Sequence, residues 1–191
     1  MSDSPVKNIE KSVEHAFQNA ERFDAPYQHW TLNNLFPSEI ADMLPSIEFP
    51  IQDLGGVSGK RELHNDTRHY VDTKNRRQFE SFALIADTFQ STSMAQTIEK
   101  FTGADLNDTF LRIEYAQDVE GFWLEPHTDL GVKRLTVLIY LASNTDNNDL
   151  GTDIFDSEKK HFKRAPFEHN AAMMFVPSDN TYHGFNERKF T

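Results

Sequence analysis

His127 and Asp129 stand two residues apart, and 54 residues after Asp129 comes His183, within Asn180-Thr181-Tyr182-His183-Gly184-Phe185. Two neutral imidazoles and one carboxylate suit ferrous iron: they take three facial positions of an octahedron and leave three for other ligands. A closed structural zinc site would leave none. Along a strand, residues i and i+2 point to one side, roughly 6.5–7 Å apart, so His127 and Asp129 can reach one metal while the third ligand comes from another strand. A His-x-Asp tripeptide alone is common by chance, and its weight depends on the elements around it.

With 191 residues the chain is long enough for one well-filled domain and short for two. We expect a single domain over 1–191, in which 1–104 is mostly helical support with a polar loop and 105–191 is a strand-rich core. No apolar run approaches the ~18 residues of a membrane span, and Met1-Ser2-Asp3-Ser4-Pro5-Val6-Lys7 lacks the basic-then-apolar pattern of a signal peptide, so a cytoplasmic protein without a membrane partner is expected. The absence of cysteine leaves only nitrogen and oxygen ligands for a metal. A net charge of -11 argues against duplex nucleic acid as a partner, because lysine and arginine on phosphates supply most of such binding.

Ser4-Pro5 followed by Val6, Ile9, Val13, Phe17 and Ala20 predicts a capped amphipathic helix to about Arg22. Tyr27 to Leu35 reads as a strand, and Ser38 should cap a short helix carrying Ile40, Met43 and Leu44 that Pro45 stops. Phe79, Phe82, Ala83, Ile85, Ala86 and Phe89 mark a third helix; Met94, Ile98 and Phe101 mark a fourth, ending at Gly103. From Thr109 the period changes to short β-branched or aromatic runs divided by Asp, Asn, Gly and Pro turns. Helices first and strands afterwards predict an α+β, mainly β fold: helices buttressing one sheet of a two-sheet sandwich or barrel. The polar stretch between Gly55 and Arg77, with Lys60, Arg61, His64, Arg68, His69, Tyr70, Lys74 and Arg76, reads as a loop, either simply solvated or a lid offering Arg61 or Arg68 to an anionic substrate.

The series Leu111-Arg112-Ile113-Glu114-Tyr115, Gly121-Phe122-Trp123-Leu124-Glu125-Pro126-His127, Arg134-Leu135-Thr136-Val137-Leu138-Ile139-Tyr140, Gly151-Thr152-Asp153-Ile154-Phe155 and Asn170-Ala171-Ala172-Met173-Met174-Phe175 resembles the Fe(II)/2-oxoglutarate-dependent dioxygenases. It is most similar to their prolyl 4-hydroxylase-like branch, over about residues 109–185. The resemblance implies a double-stranded β-helix, of jelly-roll or cupin kind, with His127, Asp129 and His183 holding Fe(II). It implies 2-oxoglutarate and O2 as cosubstrates, ascorbate as an optional reductant, and hydroxylation of a C–H bond in a small molecule or peptidyl side chain with release of succinate and CO2. Asp129 favours hydroxylation over halogenation, since related halogenases carry a small residue at that position. The resemblance also implies that Tyr115 lines the cosubstrate pocket and that the Thr136 and Tyr140 hydroxyls bind the distal carboxylate of 2-oxoglutarate.

Trp123 and Glu125 alternate with His127 and should face the same cavity, Trp123 either walling it or packing the core. Asn180 and Thr181 either orient His183 or form a plain turn. His15, His29, His161 and His169 read as surface or structural residues. The pattern departs from the family at the cationic anchor for the distal carboxylate, because the chain reaches Thr191 only eight residues after His183 and the expected core lacks its last strand. Arg188 is the nearest candidate, with Lys189 beside it, and Arg134 and Arg112 are the fallbacks. Two other readings use the same residues: a cupin-type metal-dependent hydrolase or isomerase that activates water, and a non-catalytic metal-binding β-helix protein.

Overall fold

The computed structural model describes residues 3–50, 59, 68–118, 121–129, 131–142 and 149–187. Lys60, Arg61, His64, Arg188 and Lys189 lie outside the described residues. Helix α1 (Pro5–Gln18) begins as expected, with the Ser4 hydroxyl accepting from Lys7 N and proline in the first turn. It ends four residues before Arg22, because the Asn19 amide turns back to donate to His15 O at 2.8 Å. The released chain becomes strand β1 (Glu21–Phe23), which pairs with β2 (His29–Leu32). Strand β2 is shorter than the expected Tyr27–Leu35, since Asn34 takes a left-handed φ of 52° and leaves the sheet.

Ser38 is not a cap: Pro37 holds that position and α2 (Ser38–Ala41) has no side-chain cap bond. Pro45 does not break the chain either, since it fits inside a 3-10 turn over Leu44–Ser46. The polar stretch expected to be a loop contains strand β3 (Arg68–Tyr70) and helix α3 (Thr73–Gln78), whose start is secured by the Asp72 carboxylate accepting from Asn75 N at 2.8 Å. Helices α4 (Glu80–Phe89) and α5 (Thr92–Thr102) follow the apolar spacing, and Gly103 ends α5 at φ 77°, a left-handed cap that glycine takes without strain.

Among the described residues the remaining strands are β4 (Glu114–Ala116), β5 (Leu124–His127), β6 (Thr136–Tyr140), β7 (Asp153–Phe155), β8 (His161–Arg164), β9 (Ala171–Phe175) and β10 (His183–Phe185). They form two four-stranded antiparallel sheets, ordered β1-β2-β9-β6 and β5-β10-β7-β8, and a β3-β4 ribbon. The described fold is therefore mixed α/β with a strand-rich core. Register decides which side each residue of the first sheet serves. Val137 pairs with Met174 and Ile139 with Ala172, and these join Trp30, Leu32, Ile9, Val13, Phe82, Ile85, Met94 and Ile98 in a core beneath the helices. Thr136 pairs with Phe175, Leu138 with Met173 and Tyr140 with Ala171 on the opposite side, where the apolar ones and Tyr140 meet Ile154 of the second sheet and Ala165 just after β8. Each fully buried Leu, Ile, Phe or Met side chain contributes about 1.5–3 kcal/mol to this packing.

Two glycines allow backbones to approach closely. A Cβ on Gly184 of β10 would lie 2.5 Å from Leu124 O of β5, and one on Gly59 would lie 2.0 Å from the Trp123 ring. Gly59 bridges to Leu124 and so sits against the edge of β5. No helix among the described residues is long and apolar enough to cross a membrane.

Candidate metal centre

His127 closes β5 and His183 opens β10, and the two are direct cross-strand partners. Such partners carry Cβ atoms roughly 4.5–5.5 Å apart. Their rings accordingly sit 4.4 Å apart between centroids, inclined at 51°. Asp129 follows β5 by two residues and is 2 % exposed, at the gap between the sheets where β6 begins. One ligand atom from each of the three residues lies within 4.8 Å of the others.

Both histidines have their tautomer set by the same local device. His127 Nδ1 donates to Glu125 O at 2.9 Å, and His183 Nδ1 donates to Thr181 O at 3.0 Å. A carbonyl only accepts, so Nδ1 carries the proton and Nε2 presents a lone pair. Burial and the neighbouring His127 push the His183 imidazole down to about 4, against the smaller opposing pull of Asp129. Burial pushes the Asp129 carboxyl up, but His183, the Lys133 ammonium and the Thr136 hydroxyl outweigh it and hold the group at about 2. At neutral pH the Asp129 carboxylate faces a neutral His183 imidazole.

His183 Nε2 and Asp129 Oδ2 are 3.7 Å apart, beyond a hydrogen bond. Metal–ligand bonds of about 2.0–2.2 Å place neighbouring donor atoms roughly 3–3.5 Å apart, so a small inward movement would bring this pair to coordination distance. The donor set, its tautomers and its charge thus fit a divalent first-row metal with open positions.

Supporting contacts come from both sheets. Thr136 Oγ1 donates to Asp129 Oδ2 at 2.8 Å, and Lys133 Nζ reaches the same oxygen at 2.9 Å. Phe175 lies under His183 with centroids 4.8 Å apart and shields it from water. Behind β10, the buried Asp153 carboxylate accepts from His161 Nε2 at 3.0 Å, Arg164 Nε at 2.7 Å and Asn186 N at 2.7 Å, tying β7, β8 and the segment after β10 together.

The other residues singled out in the sequence fall in different places. Thr136 faces the cluster through Asp129, and Tyr140 shares its interior side, donating to Thr152 Oγ1 at 2.9 Å. The structure does not bring Tyr115 to the cluster: its ring lies in the helix-facing core beside Phe49 and Phe82, and its hydroxyl donates to Leu44 O at 3.0 Å. Strand β4, which carries Tyr115, pairs with β3 and belongs to neither large sheet. Arg134 is exposed, and Arg112 is 2.8 Å from Glu114. Glu114 is also 2.5 Å from Arg68, so Arg68 is engaged at the ribbon. Arg188, the nearest candidate anchor, lies outside the described residues.

The expectation that Trp123, Glu125 and His127 share a cavity is corrected by a β-bulge. His183 pairs with His127 but Phe185 pairs with Leu124, so three steps on β5 match two on β10. The extra residue shifts the alternation: Leu124 is buried and Glu125 exposed. Thr181 orients His183 through its carbonyl, while Asn180 takes part in a turn by accepting from Ser178 Oγ at 2.6 Å.

Sequence reasoning missed Lys133 and Tyr27. Lys133 had a weak local signal in its four-residue spacing from Asp129. Tyr27 had none: it enters the interior from the N-terminal half, its hydroxyl donating to Tyr182 O at 3.2 Å and its ring 5.9 Å from that of Phe175. His29 beside it is fully buried, donates from Nδ1 to Tyr27 O at 2.8 Å, and is pushed down to about 4 by burial.

No protein-family model matches this chain, and no curated protein matches it.

Proposed function

We propose that this chain is an Fe(II)- and 2-oxoglutarate-dependent oxygenase of the prolyl 4-hydroxylase-like kind, acting on a C–H bond of a small molecule or peptidyl side chain. The observation that carries the reading is the convergence of His127, Asp129 and His183, with both Nδ1 protons held by backbone carbonyls and the carboxylate ionised. The chain's path supports it: from β5 in one sheet it crosses to β6 in the other, returns for β7 and β8, crosses again for β9 and returns for β10. That alternation fits the winding of a double-stranded β-helix, which we propose as the finer description of the fold.

In this reading His127 and His183 give Nε2 lone pairs, Asp129 gives charge, and Thr136 orients the carboxylate. With ferrous iron held by these three residues, the chemistry supplied would be oxygen activation coupled to oxidative decarboxylation of 2-oxoglutarate, giving succinate, CO2 and a hydroxylated product. The Tyr140 hydroxyl, now donating to Thr152, would donate more strongly to an interior carboxylate, since hydrogen bonds to ionised acceptors are about twice as strong as neutral ones. Phe175, Met173 and Ile154 keep the space beneath the ligands dry, which strengthens every electrostatic contact there.

The test is anaerobic reconstitution of the protein with Fe(II) and 2-oxoglutarate. A weak visible charge-transfer band should form, and His127→Ala and His183→Ala should each abolish it. A band unchanged in both variants refutes the ligand assignment, and turnover that needs neither oxygen nor 2-oxoglutarate would select the water-activating alternative.

A further inference from the structure

Asp129 Oδ2 receives two donors of different kinds. The Thr136 hydroxyl, at 2.8 Å, is neutral and lies at the start of β6. The Lys133 ammonium, at 2.9 Å, carries a full charge on the turn between Asp129 and β6, and its side chain is 23 % exposed. A hydroxyl is sufficient to orient a carboxylate. What the ammonium adds is charge, placed where a divalent ion must arrive.

This charge acts in two opposite directions. Toward a metal it is repulsive: Lys133 neutralises the carboxylate that should attract the ion, in a setting where Asp129 is buried and screening is weak. Toward an anion it is attractive. With the Asp129 carboxylate offset by Lys133, a bound divalent ion keeps more of its double charge. Without the lysine, half of that charge would be offset by the carboxylate.

We propose that Lys133 is a built-in counter-cation that lowers the centre's affinity for its metal and reserves the metal's charge for a doubly anionic chelating ligand in the open positions. The inference rests on the reading of His127, Asp129 and His183 as a divalent-metal site. It assigns the ligand class by charge: a dianion, such as a dicarboxylic oxoacid or oxalate, over a monoanion of the same shape. Thr136 is the positioning residue in this scheme, and Lys133 sets the electrostatic balance.

The experiment titrates Mn(II), a redox-silent probe, into the full chain and reads free aqueous Mn(II) by electron paramagnetic resonance. Oxalate and 2-oxoglutarate are then titrated separately into the Mn(II)-loaded protein. Lys133→Met, which keeps the aliphatic stem, should bind Mn(II) about tenfold more tightly and each dianion about tenfold more weakly, the scale of one unit charge removed from a partly buried site. Lys133→Arg should stay within about threefold of wild type on both counts. Mn(II) binding that is weaker or unchanged in Lys133→Met overturns the proposal and leaves Lys133 as a mere support for Asp129. Tighter Mn(II) with unaltered dianion binding also overturns it. If the wild-type Mn(II) form binds oxalate but not 2-oxoglutarate, the oxygenase reading fails while the Lys133 proposal is still decided by oxalate. Lys133→Gln serves as a second uncharged variant should the methionine disturb folding.

Discussion

Met173 and Met174 are neighbours on β9 and are equally buried, yet they face different surroundings. Met174 points to the helices, where Trp30, Val137, Phe82 and Ile98 make a core of carbon against carbon. Met173 points between the sheets, among Tyr27, Tyr140 and Ile154, and the next residue inward, Phe175, touches His183. The helix side needs only volume and shape. The interior side buries imidazoles, phenols and carboxylates, whose partners fix where each polar atom points. Global stability should therefore depend most on the helix side, and ligand binding on the interior, although one strand serves both.

Three substitutions would break or sharpen that contrast. The largest effect is expected from Met174→Ala, which leaves a cavity under the helices and should cost about 2–5 kcal/mol in denaturant unfolding. Its Mn(II) affinity should stay within about threefold of wild type; a parallel loss of metal binding would show that the two faces are not separable. Thr136→Val reverses the pattern, removing the hydroxyl on Asp129 and weakening Mn(II) binding by about 10–100-fold with little change in stability. It also contrasts with Lys133→Met, because losing a neutral orienting donor weakens the metal whereas losing a charged one should strengthen it.

The smallest effect concerns pH and His29. Burial holds its folded value at about 4, below the ordinary 6.5, so the unfolded chain takes up a proton as pH falls through about 6.5 while the folded protein refuses it. The resulting stability is fully present above that point and is lost as pH falls toward 4. Between pH 7 and 5 the metal-free wild type should lose roughly 1–2 kcal/mol more than His29→Asn. Equal pH slopes in urea unfolding would mean that His29 titrates freely, and that the interior face is wetter than its burial indicates.

Much of the fold was legible where local chemistry acts alone. The proline and serine at the start of α1 and Gly103 at the end of α5 are signals read by their immediate neighbours, and the structure keeps both. The approximate extent of α4 followed from apolar spacing in the same way. Expectations failed where a distant partner competes with local preference. The end of α1 was overestimated because β1 leaves the helix to pair with β2. Helix α3 was hidden in a polar stretch because it buries no side chain and so lacks an apolar stripe. The resemblance implied a pocket position for Tyr115, but β4 pairs with β3 and the Tyr115 ring lies in the helix-facing core.

The donor types and their spacing, His127-x-Asp129 and His183, were determined by the sequence alone, and so was the exclusion of thiolate ligands by a chain without cysteine. Only the tertiary structure decided that the histidines face each other across β5 and β10, that their Nε2 atoms point inward, and that Lys133 rests on Asp129. It also decided that Leu124 and not Glu125 is buried, through one extra residue in β5. The physical reason is the range of the forces involved. Helix caps and strand alternation are set within a few residues, whereas the meeting of side chains far apart in sequence depends on the register of paired strands, and a single inserted residue turns every later side chain to the other face.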